Sequence, residues 1–330
     1  MDNNTKTHSD IAIIGAGMAG LACATKLVAA GHDVKVFDKG RGPGGRMAAR
    51  RAEIAGETVS FDHGAQYFTA RDPGFQAVVQ GWNDADAAAR WSAAEKDNGD
   101  AAWVGTPGMN GPIREMAQQV GDASQPVLWG TRIETLGRSG GLWRLDAGET
   151  VYTANTVLVA IPAEQAGVLL SDAAPDYAQV ASSVVSEPCW AVMAAFEERL
   201  PIEADAMRDP DAAISWAARN SAKPERSGRE CWVLHASPAR SRDIIDLPKE
   251  EAAAVLLGDF FAQNGIAPVD PVHCVAHRWL YAQPGSLQGE PAHFDAAHRI
   301  GMAGDFLHSP RVEGAWISGT ALAETVLNFS

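Results

Sequence analysis

The chain has 330 residues, and 46% of them are hydrophobic, so it can bury a large core and is not disordered as a whole. Its 27 basic and 41 acidic residues give a formal net charge of −14. This acidic balance argues against general binding to nucleic acid or to an anionic membrane, because both are polyanions. A local basic pocket for an anionic ligand stays compatible with it.

Cysteine usage and the first thirty residues indicate the compartment. The four cysteines are irregularly spaced, which is typical of reduced thiols rather than of disulfides or a zinc site: Cys23, Cys189, Cys231 and Cys274. Residues 1–10 are polar and lack the order of a signal peptide. Residues 11–30 have the length of a membrane span, but three glycines and Lys26 interrupt them, and a strand–turn–helix explains them better. We therefore expect a cytoplasmic protein with no metal and no membrane partner.

The first elements form a βαβ unit. Asp10–Gly15 is a short apolar run ended by glycine, which is typical of a buried parallel strand. Met18–Ala30 contains mostly good helix formers, and Gly31 follows as the residue that ends the helix. Asp33–Asp38 is predicted to be the second strand.

The rest of the chain predicts one domain built from both ends and a second domain inserted between them. In chain order we expect helices over 72–100, strands over 125–144 and 156–161, a different texture over 163–272, strands over 275–282 and 300–304, and a helix over 315–327. The predicted class is α/β. A doubly wound, Rossmann-type domain comprises 1–75, 100–165 and 272–330, and an α+β substrate domain comprises 76–99 and 166–271.

A glycine motif follows the first strand, with the sequence Gly15-Ala16-Gly17-Met18-Ala19-Gly20. In the G-x-G-x-x-G pattern, Gly15 permits a tight turn, a side chain at Gly17 would block a pyrophosphate, and Gly20 lets the helix pack on the strand. The helix N-terminus then offers free N–H groups to phosphates. Asp38, 23 residues after Gly15, can accept hydrogen bonds from a ribose hydroxyl and would repel a 2′-phosphate. The motif does not separate FAD from NAD.

A second glycine-rich turn, with the sequence DKGRGPGGRM over 38–47, follows the second strand. An arginine in this turn, shortly after Asp38, can pair with a pyrophosphate or remain solvated. Together, GAGMAGLACA and this turn resemble the FAD-containing amine oxidase superfamily. The FDHGAQYFTAR segment over 61–71 is similar to the renalase-like branch. Further similar blocks lie at 107–111, around Trp143, and at 157–162, 277–282, 304–305 and 312–319, whereas residues 163–270 match only loosely.

The resemblance implies an amine oxidase or p-hydroxybenzoate hydroxylase type of fold and a set of FAD contacts. On the adenosine side, the implied contacts are the Gly15–Gly20 loop for the pyrophosphate, Asp38 for the ribose, Ile133, in a Thr-Arg-Ile strand, for the adenine, and, near ribose and phosphate, Lys39, Gly45, Arg46 and Met47. On the flavin side, they are Gly304 and Asp305 for the ribitol or pyrophosphate and, beside the isoalloxazine, Gly64, Ala65 and Gln66. The last implied contacts are Glu313, Gly314 and Ala315. The last three begin a helix whose N-terminus would stabilise negative charge on the flavin.

Two absences refine the chemistry. No cysteine follows Cys274, so the C-terminal block offers no thioether attachment and we predict non-covalent FAD. Many amine oxidases use a lysine close to the flavin. Beyond residue 100 only Lys223 and Lys249 occur, in charged segments that we expect to be exposed. This departure counts against amine oxidation.

Hydride transfer needs an oriented substrate and exclusion of water rather than a nucleophile. The candidates for substrate contact are Tyr67, Gln66, His277, Trp279 and Tyr281, although Trp279 and Tyr281 alternate on a strand and could instead pack in the core. His63 could simply shape its loop. His273 and His277 lack the glutamate of a zinc motif.

The function that the resemblance implies is a renalase-like oxidase. Its partners would be O2 and a dihydropyridine nucleotide, a 2- or 6-dihydro isomer of NAD(P)H, with NAD(P)+ and hydrogen peroxide as products. Two alternatives stay open: a small amine oxidase or desaturase of the same superfamily, and a non-catalytic FAD-binding redox protein.

Overall fold

The computed structural model describes residues 7–95, 99–226, 228–287 and 289–329. The chain divides into two compact units. The first consists of the residues up to Gly45, Ile113–Val185 and the residues from Pro284 onward, and the second consists of Arg46–Pro112 and Ser186–Gln283. The sequence placed the changes of domain near 75, 100, 165 and 272. Each unit is therefore assembled from separate stretches of chain.

The secondary structure alternates strands and helices. The strands are β1 (His8–Ile14), β2 (Val34–Asp38), β3 (Ala49–Ile54), β4 (Glu57–Asp62), β5 (Ala88–Arg90), β6 (Trp103–Gly105), β7 (Leu128–Trp129), β8 (Thr135–Ser139), β9 (Leu142–Ala147), β10 (Thr150–Val159), β11 (Ser186–Phe196), β12 (Ala206–Arg208), β13 (Ile214–Arg219), β14 (Glu230–Ala236), β15 (His273–Pro284), β16 (Ala292–Asp295) and β17 (Ile300–Ala303). The helices are α1 (Met18–Ala29), α2 (Pro73–Asp84), α3 (Gly111–Ala123), α4 (Ala163–Leu170), α5 (Pro175–Ser182), α6 (Pro238–Asp243), α7 (Lys249–Gln263), α8 (Asp305–His308) and α9 (Val312–Asn328). Short 3₁₀ turns occur at Gly45–Met47, Ser92–Ala94 and Asn220–Ala222.

The first unit is built on an eight-stranded sheet with the order β16-β17-β10-β1-β2-β7, and β9 and β8 continue from β10. β1 pairs in parallel with β2 and with β10, and β10 pairs in parallel with β17. Ile11–Ile14 is fully buried, as expected for a central parallel strand that is covered on both faces. The predicted Rossmann-type α/β fold is confirmed.

The two ends of the first unit meet through helices α1 and α9. A Cβ atom on Gly319 of α9 would lie 2.0 Å from the carbonyl oxygen of Ala19 in α1, so the two helix backbones are in direct contact. Lys26 of α1 also pairs with Glu324 of α9. The predicted strand and helix at the end of the chain thus complete the fold that the first βαβ unit begins.

The second unit is built on a five-stranded antiparallel sheet with the order β12-β13-β14-β11-β15. On β14, Trp232 and Leu234 lie in the same apolar cluster as Leu256 of α7. The alternating residues Cys231 and Val233 instead join a cluster with Phe61 of the β3–β4 hairpin. We call this second side, on which His235 also lies, the hairpin face.

Two local expectations from the sequence are wrong. Helices were expected over 72–100. α2 does form there, capped by Asp72, whose side chain accepts the N–H of Phe75, but Asp86 then adopts a positive φ of 54° and the chain continues into the β5–β6 hairpin. The Thr-Arg-Ile segment around Ile133 is a loop between β7 and β8 rather than a strand, because Gly130 turns the chain at φ 69°.

The four cysteines are free thiols in the structure. Within the described ranges, no helix is both long enough and apolar enough to cross a membrane. The described residues also contain no group of three or more metal-ligating side chains.

Candidate functional site

The glycine loop between β1 and α1 has two glycines that the fold itself requires. Gly15 has φ 109°, and a Cβ atom there would lie 2.3 Å from the carbonyl oxygen of Ala160. A Cβ atom on Gly20 would lie 1.8 Å from the carbonyl oxygen of Gly15. In contrast, a Cβ atom on Gly17 would meet no protein atom within 4 Å. The loop therefore leaves open space in front of Gly17, beside the N-terminus of α1, and this fits a dinucleotide pyrophosphate.

Asp38, at the end of β2, holds this loop in place through hydrogen bonds from its carboxylate. Its Oδ2 accepts the N–H of Ala16 at 2.8 Å, and its Oδ1 accepts the N–H of Gly40 at 2.6 Å. A carboxylate has lone pairs beyond these two bonds, so a ribose hydroxyl can still be accepted. The sequence indicated the ribose role, but it did not indicate that Asp38 also joins the two glycine-rich turns.

The second glycine-rich turn and the loop after β7 flank Asp38. Gly45 has φ 54°, and a Cβ atom on it would lie 3.7 Å from the Cα atom of Gly17. Gly130 and Thr131 donate their N–H groups to the carbonyl oxygens of Gly40 at 2.7 Å and Asp38 at 2.8 Å. Ile133 follows in this loop, with its side chain buried in the core of the first unit. Its backbone contact with adenine stays a prediction.

Lys39 follows Asp38 and donates from Nζ to Oε1 of Gln165 at 2.7 Å. Burial, together with the positive charge of Arg132, lowers the pKa of Lys39. The lysine side chain thus lies against Gln165, and its role near ribose and phosphate stays a prediction.

The C-terminal block places two buried carboxylates at helix starts. Asp305 is the first residue of α8, and Glu313 lies in the first turn of α9. The expected final helix begins three residues earlier than predicted, so Glu313, Gly314 and Ala315 all belong to its first turn. Gly304 donates its N–H to Oγ of Ser318 at 2.8 Å, which ties this turn to α9. The residues fit a helix-terminal contact with a cofactor, and that contact stays a prediction.

In the second unit, a buried ion cluster lies at the end of β4. The Asp62 carboxylate accepts from Met109 N at 2.8 Å, from Lys223 Nζ at 3.1 Å and from Arg226 Nη2 at 2.7 Å. The side chains of Asp62 and Lys223 are both 0% exposed. Burial alone would raise the pKa of Asp62, but the charges of Lys223 and Arg226 outweigh it and hold the pKa below its usual range.

The expectation that Lys223 is exposed is wrong. The 3₁₀ turn Asn220–Ala222 directs it inward, where its Nζ atom lies 5.3 Å from the centre of the Trp91 ring. The turn is fixed because Asn220 donates to the carbonyl oxygen of Ser60 at 2.6 Å and accepts the N–H of Asp62 at 3.2 Å. Burial lowers the pKa of Lys223 to about 8, against the opposing charge of Asp62. The objection to amine oxidation therefore loses its premise that both lysines are exposed.

Gln66 is tied into this cluster by both ends of its amide. Its Oε1 accepts from Lys223 Nζ at 3.2 Å, and its Nε2 donates to the carbonyl oxygens of Gly64, at 3.1 Å, and Asp62. Gln66 was predicted to contact substrate and flavin. The structure gives its side chain the task of holding the Asp62–Gln66 segment in shape.

The predicted aromatic candidates on β15 meet the same segment. Trp279 stacks on His63 with the ring centres 5.2 Å apart, and its Nε1 donates to the carbonyl oxygen of His63 at 2.9 Å. His277 packs edge-on against both rings. A Cβ atom on Gly64 would lie 2.0 Å from the carbonyl oxygen of Arg46, so the two predicted flavin-binding segments are in backbone contact. Tyr281 lies two residues after Trp279 and is half-buried.

Two histidines of this cluster are neutral at pH 7. Burial lowers the pKa of His63 to about 4, and the positive charges of His277 and Arg50 add to the effect. Nε2 of His235 lies 3.3 Å from the carbonyl oxygen of His63, and burial also lowers the pKa of His235 to about 4. Nδ1 of His63 is buried and has no hydrogen-bond partner within the described part of the chain. The imidazoles of His63 and His235 are thus polar groups that carry no charge at pH 7.

Tyr67 faces a different set of residues. Its ring stacks on Trp216 with the centres 5.2 Å apart, and its hydroxyl accepts a hydrogen bond from Nη2 of Arg208. Sequence reasoning missed Lys223, Arg208, Trp216 and His235. Alternation along β14 is the signal that could have found His235, which follows Cys231 and Val233 on the hairpin face. Trp216 is its cross-strand partner, but a register shift between Ile214 and Trp216 breaks the alternation along β13.

The comparisons with known proteins decide the family. Residues 75–327 match the family of flavin-containing amine oxidoreductases, and residues 13–82 match the NAD(P)-binding Rossmann-like domain. The chain belongs to the flavin-containing amine oxidoreductase family. It is an FAD-dependent oxidoreductase.

Solved structures share the fold across almost the whole chain at low sequence identity. A candidate protoporphyrinogen oxidase from Exiguobacterium sp. 255-15 superposes with a TM-score of 0.74 at 13% identity, covering 96% of this chain and 98% of its own. A putrescine oxidase bound to putrescine has a TM-score of 0.65 at 14% identity, covering 97% and 99%. Cyclohexylamine oxidase from Brevibacterium oxydans IH-35A has a TM-score of 0.64 at 13% identity, covering 97% and 99%.

Curated relatives match only a short segment. A zeta-carotene-forming phytoene desaturase from Myxococcus xanthus is 48% identical over 48 residues, which is 14% of this chain and 9% of the desaturase. A 4,4′-diapophytoene desaturase from Staphylococcus haemolyticus is 53% identical over 38 residues, which is 12% of this chain and 8% of the relative. The chain thus aligns with less than a tenth of the length of either desaturase.

Proposed function

We propose that the protein is a renalase-like oxidase that converts 2- or 6-dihydro isomers of NAD(P)H to NAD(P)+. In the balanced reaction, one dihydro isomer, one O2 and one proton give one NAD(P)+ and one hydrogen peroxide. Bound FAD supplies the hydride acceptor and the route of the electrons to O2. The observation that supports this proposal is the Phe61–Arg71 segment, which resembles the renalase-like branch and which Trp279, His277 and Lys223 pack against or hydrogen-bond.

The residues of the second unit suit a flat, neutral donor. A dihydropyridine ring can stack on an aromatic side chain such as Trp279. Hydride loss from such a ring requires no base, because no proton leaves the reacting carbon with the hydride. His63 and His235, with pKa values of about 4, are weak bases and stay neutral, which suits that reaction. Asp62 balances part of the charge of Lys223 and Arg226, and these ion pairs anchor the start of the Asp62–Gln66 segment.

A second candidate function is amine oxidation, and buried Lys223 favours it. A lysine with a pKa of about 8 beside Gln66 can share a proton near neutral pH, and an amine substrate must lose a proton before it is oxidised. The fold is also shared with putrescine oxidase and cyclohexylamine oxidase. The desaturase alternative draws support from the short match to phytoene desaturase.

An anaerobic titration of the FAD-loaded protein tests the proposal. NADH containing the 2- and 6-dihydro isomers is mixed with the protein, and the visible flavin absorbance is followed, with pure 4-dihydro NADH, putrescine and cyclohexylamine as separate arms. We expect bleaching with the isomers alone, and hydrogen peroxide equal to substrate consumed once air is admitted. Bleaching with an amine but not with the isomers would overturn the proposal in favour of amine oxidation. No bleaching in any arm would favour a redox protein without this turnover.

A further inference from the structure

Arg208 lies on the edge strand of the five-stranded sheet. β12 has three residues, and Arg208 pairs across the strands with Trp216 of β13. Its guanidinium lies 5.1 Å from the centre of the Trp216 ring and 5.3 Å from the centre of the Tyr67 ring. The two stacked rings therefore support the flat guanidinium group, while the side chain remains exposed to solvent.

This guanidinium has no carboxylate partner among the described residues, although the chain has a net charge of −14. Other arginines of the same unit are paired, as in Arg219 with Asp205 and Glu230, Arg226 with Asp62, and Arg240 with Asp259. The hydrogen bond to the Tyr67 hydroxyl uses one N–H of Arg208, and a guanidinium has five. Several donors are left for a ligand.

Trp216 adds a second, independent observation. Its side chain is buried, with 8% of the residue exposed. Its Nε1 is also buried, and no acceptor within the described part of the chain hydrogen-bonds to it. An indole N–H is a donor only, and leaving it unpaired in the interior costs free energy. The Tyr67 oxygen accepts from Arg208, so its own proton is available to donate. Arg208 and Tyr67 thus offer hydrogen-bond donors side by side, supported by the ring of Trp216, whose own buried N–H is unpaired within the described residues.

We propose that Arg208 and Tyr67, supported by the ring of Trp216, form an oxyanion site that binds a phosphate group of the dinucleotide substrate. The proposal rests on the proposed function, because that function supplies a substrate with phosphates. A guanidinium stacked on aromatic rings presents its donors in a rigid fork that matches phosphate oxygens. Arg208 is accordingly a residue that determines specificity for the nucleotide part of the substrate rather than a participant in hydride transfer.

The first test compares the variant Arg208→Met with Arg138→Met in the FAD-loaded protein. Arg138 is also an exposed arginine above a tryptophan ring, with 4.8 Å between its guanidinium carbon and the ring centre, so the two variants lose the same charge and the same kind of contact. We expect Arg208→Met to raise KM for the dihydro-NADH isomers about 10-fold or more, with little change in kcat. The phosphate-free N-methyl dihydronicotinamide isomers should show unchanged kinetics, and Arg138→Met should leave both substrates unaffected.

A binding measurement separates this inference from the proposed function. Calorimetry on the FAD-loaded protein uses ADP-ribose, which has the phosphates but no pyridine, and adenosine, which has neither. We expect Arg208→Met to weaken ADP-ribose about 10-fold, Arg208→Lys to weaken it less, and neither to change adenosine binding. Unchanged ADP-ribose affinity in a folded, FAD-loaded Arg208→Met protein would overturn the oxyanion site. If the wild type oxidises no dihydropyridine but ADP-ribose binding depends on Arg208, the oxyanion site stands and the proposed function falls.

Discussion

Replacing Gly17 with alanine should weaken FAD binding without lowering the stability of the FAD-free protein. Gly17 is the N-cap residue of α1 with φ −82° and ψ −173°, an extended conformation that alanine adopts without strain. The added methyl group would meet no protein atom within 4 Å. We therefore expect the free energy of unfolding of the FAD-free protein to change by no more than about 0.5 kcal/mol. The methyl group would instead enter the space that the pyrophosphate needs.

The size of the binding loss follows from the contacts that would be displaced. Charge-assisted hydrogen bonds between backbone N–H groups and phosphate contribute about 1.5–3 kcal/mol each, so losing one should raise the Kd for FAD about 10-fold to 100-fold. Gly20→Ala is the contrasting variant, because its methyl group would lie 1.8 Å from the carbonyl oxygen of Gly15. It should destabilise even the FAD-free protein by about 1–3 kcal/mol.

The assay combines two measurements on protein stripped of FAD: urea unfolding followed by tryptophan fluorescence, and FAD titration followed by quenching of flavin fluorescence. Gly81→Ala serves as a control, since Gly81 lies in α2 and a Cβ atom there also meets nothing within 4 Å. Gly81→Ala should raise the free energy of unfolding slightly and leave the Kd for FAD unchanged. If Gly17→Ala binds FAD with the wild-type Kd, the reasoning that puts the pyrophosphate in front of Gly17 is refuted.

Three further predictions concern buried polar residues of the second unit. Asp62→Asn leaves Lys223 and Arg226 buried without a counter-charge and should cost about 3–5 kcal/mol in urea unfolding. Adding Lys223→Met to that variant should recover part of the loss, and if it recovers none, charge imbalance is not the cause. Folded His235 has a pKa of about 4, below its unfolded value, so unfolded protein binds more protons between pH 6.5 and 4 and stability falls on acidification in that window. His235→Gln should flatten this dependence by up to about 1.4 kcal/mol per pH unit, and an equally steep profile in the variant would contradict the assignment.

Local sequence patterns were sufficient for the first unit. The apolar run before Gly15, the glycine spacing and the acidic end of β2 are each short-range signals, and each has one physical explanation. The strand–helix pair at the end of the chain was also recognisable from its own periodicity. The fold class could therefore be predicted from residues that are close in sequence, whereas the family and the FAD cofactor came from the resemblance that these motifs carry.

The polar cluster of the second unit could not be predicted in the same way. Lys223 and Asp62 are 161 residues apart, and the Lys-Pro-Glu-Arg sequence around Lys223 is typical of an exposed turn. Lys223 is buried because Asn220 hydrogen-bonds to β4 and fixes the turn before Lys223 against the second unit. Arg208 belongs to a three-residue strand, which is too short to show alternation. Burial that depends on distant partners leaves little trace in local sequence.

The contact between α1 and α9 has a consequence for how the protein is made. Ala19 and Gly319 touch through their backbones although 300 positions separate them, and β17 pairs with β10 just before α9 begins. A ribosome that has produced the whole glycine loop has therefore not yet produced the helix that packs against α1. Contacts of such large sequence separation are slow to form. We expect the cofactor-binding unit to complete its fold only after β17 and α9 have been synthesised, so the nascent chain must remain protected from aggregation until the residues from Pro284 onward have emerged.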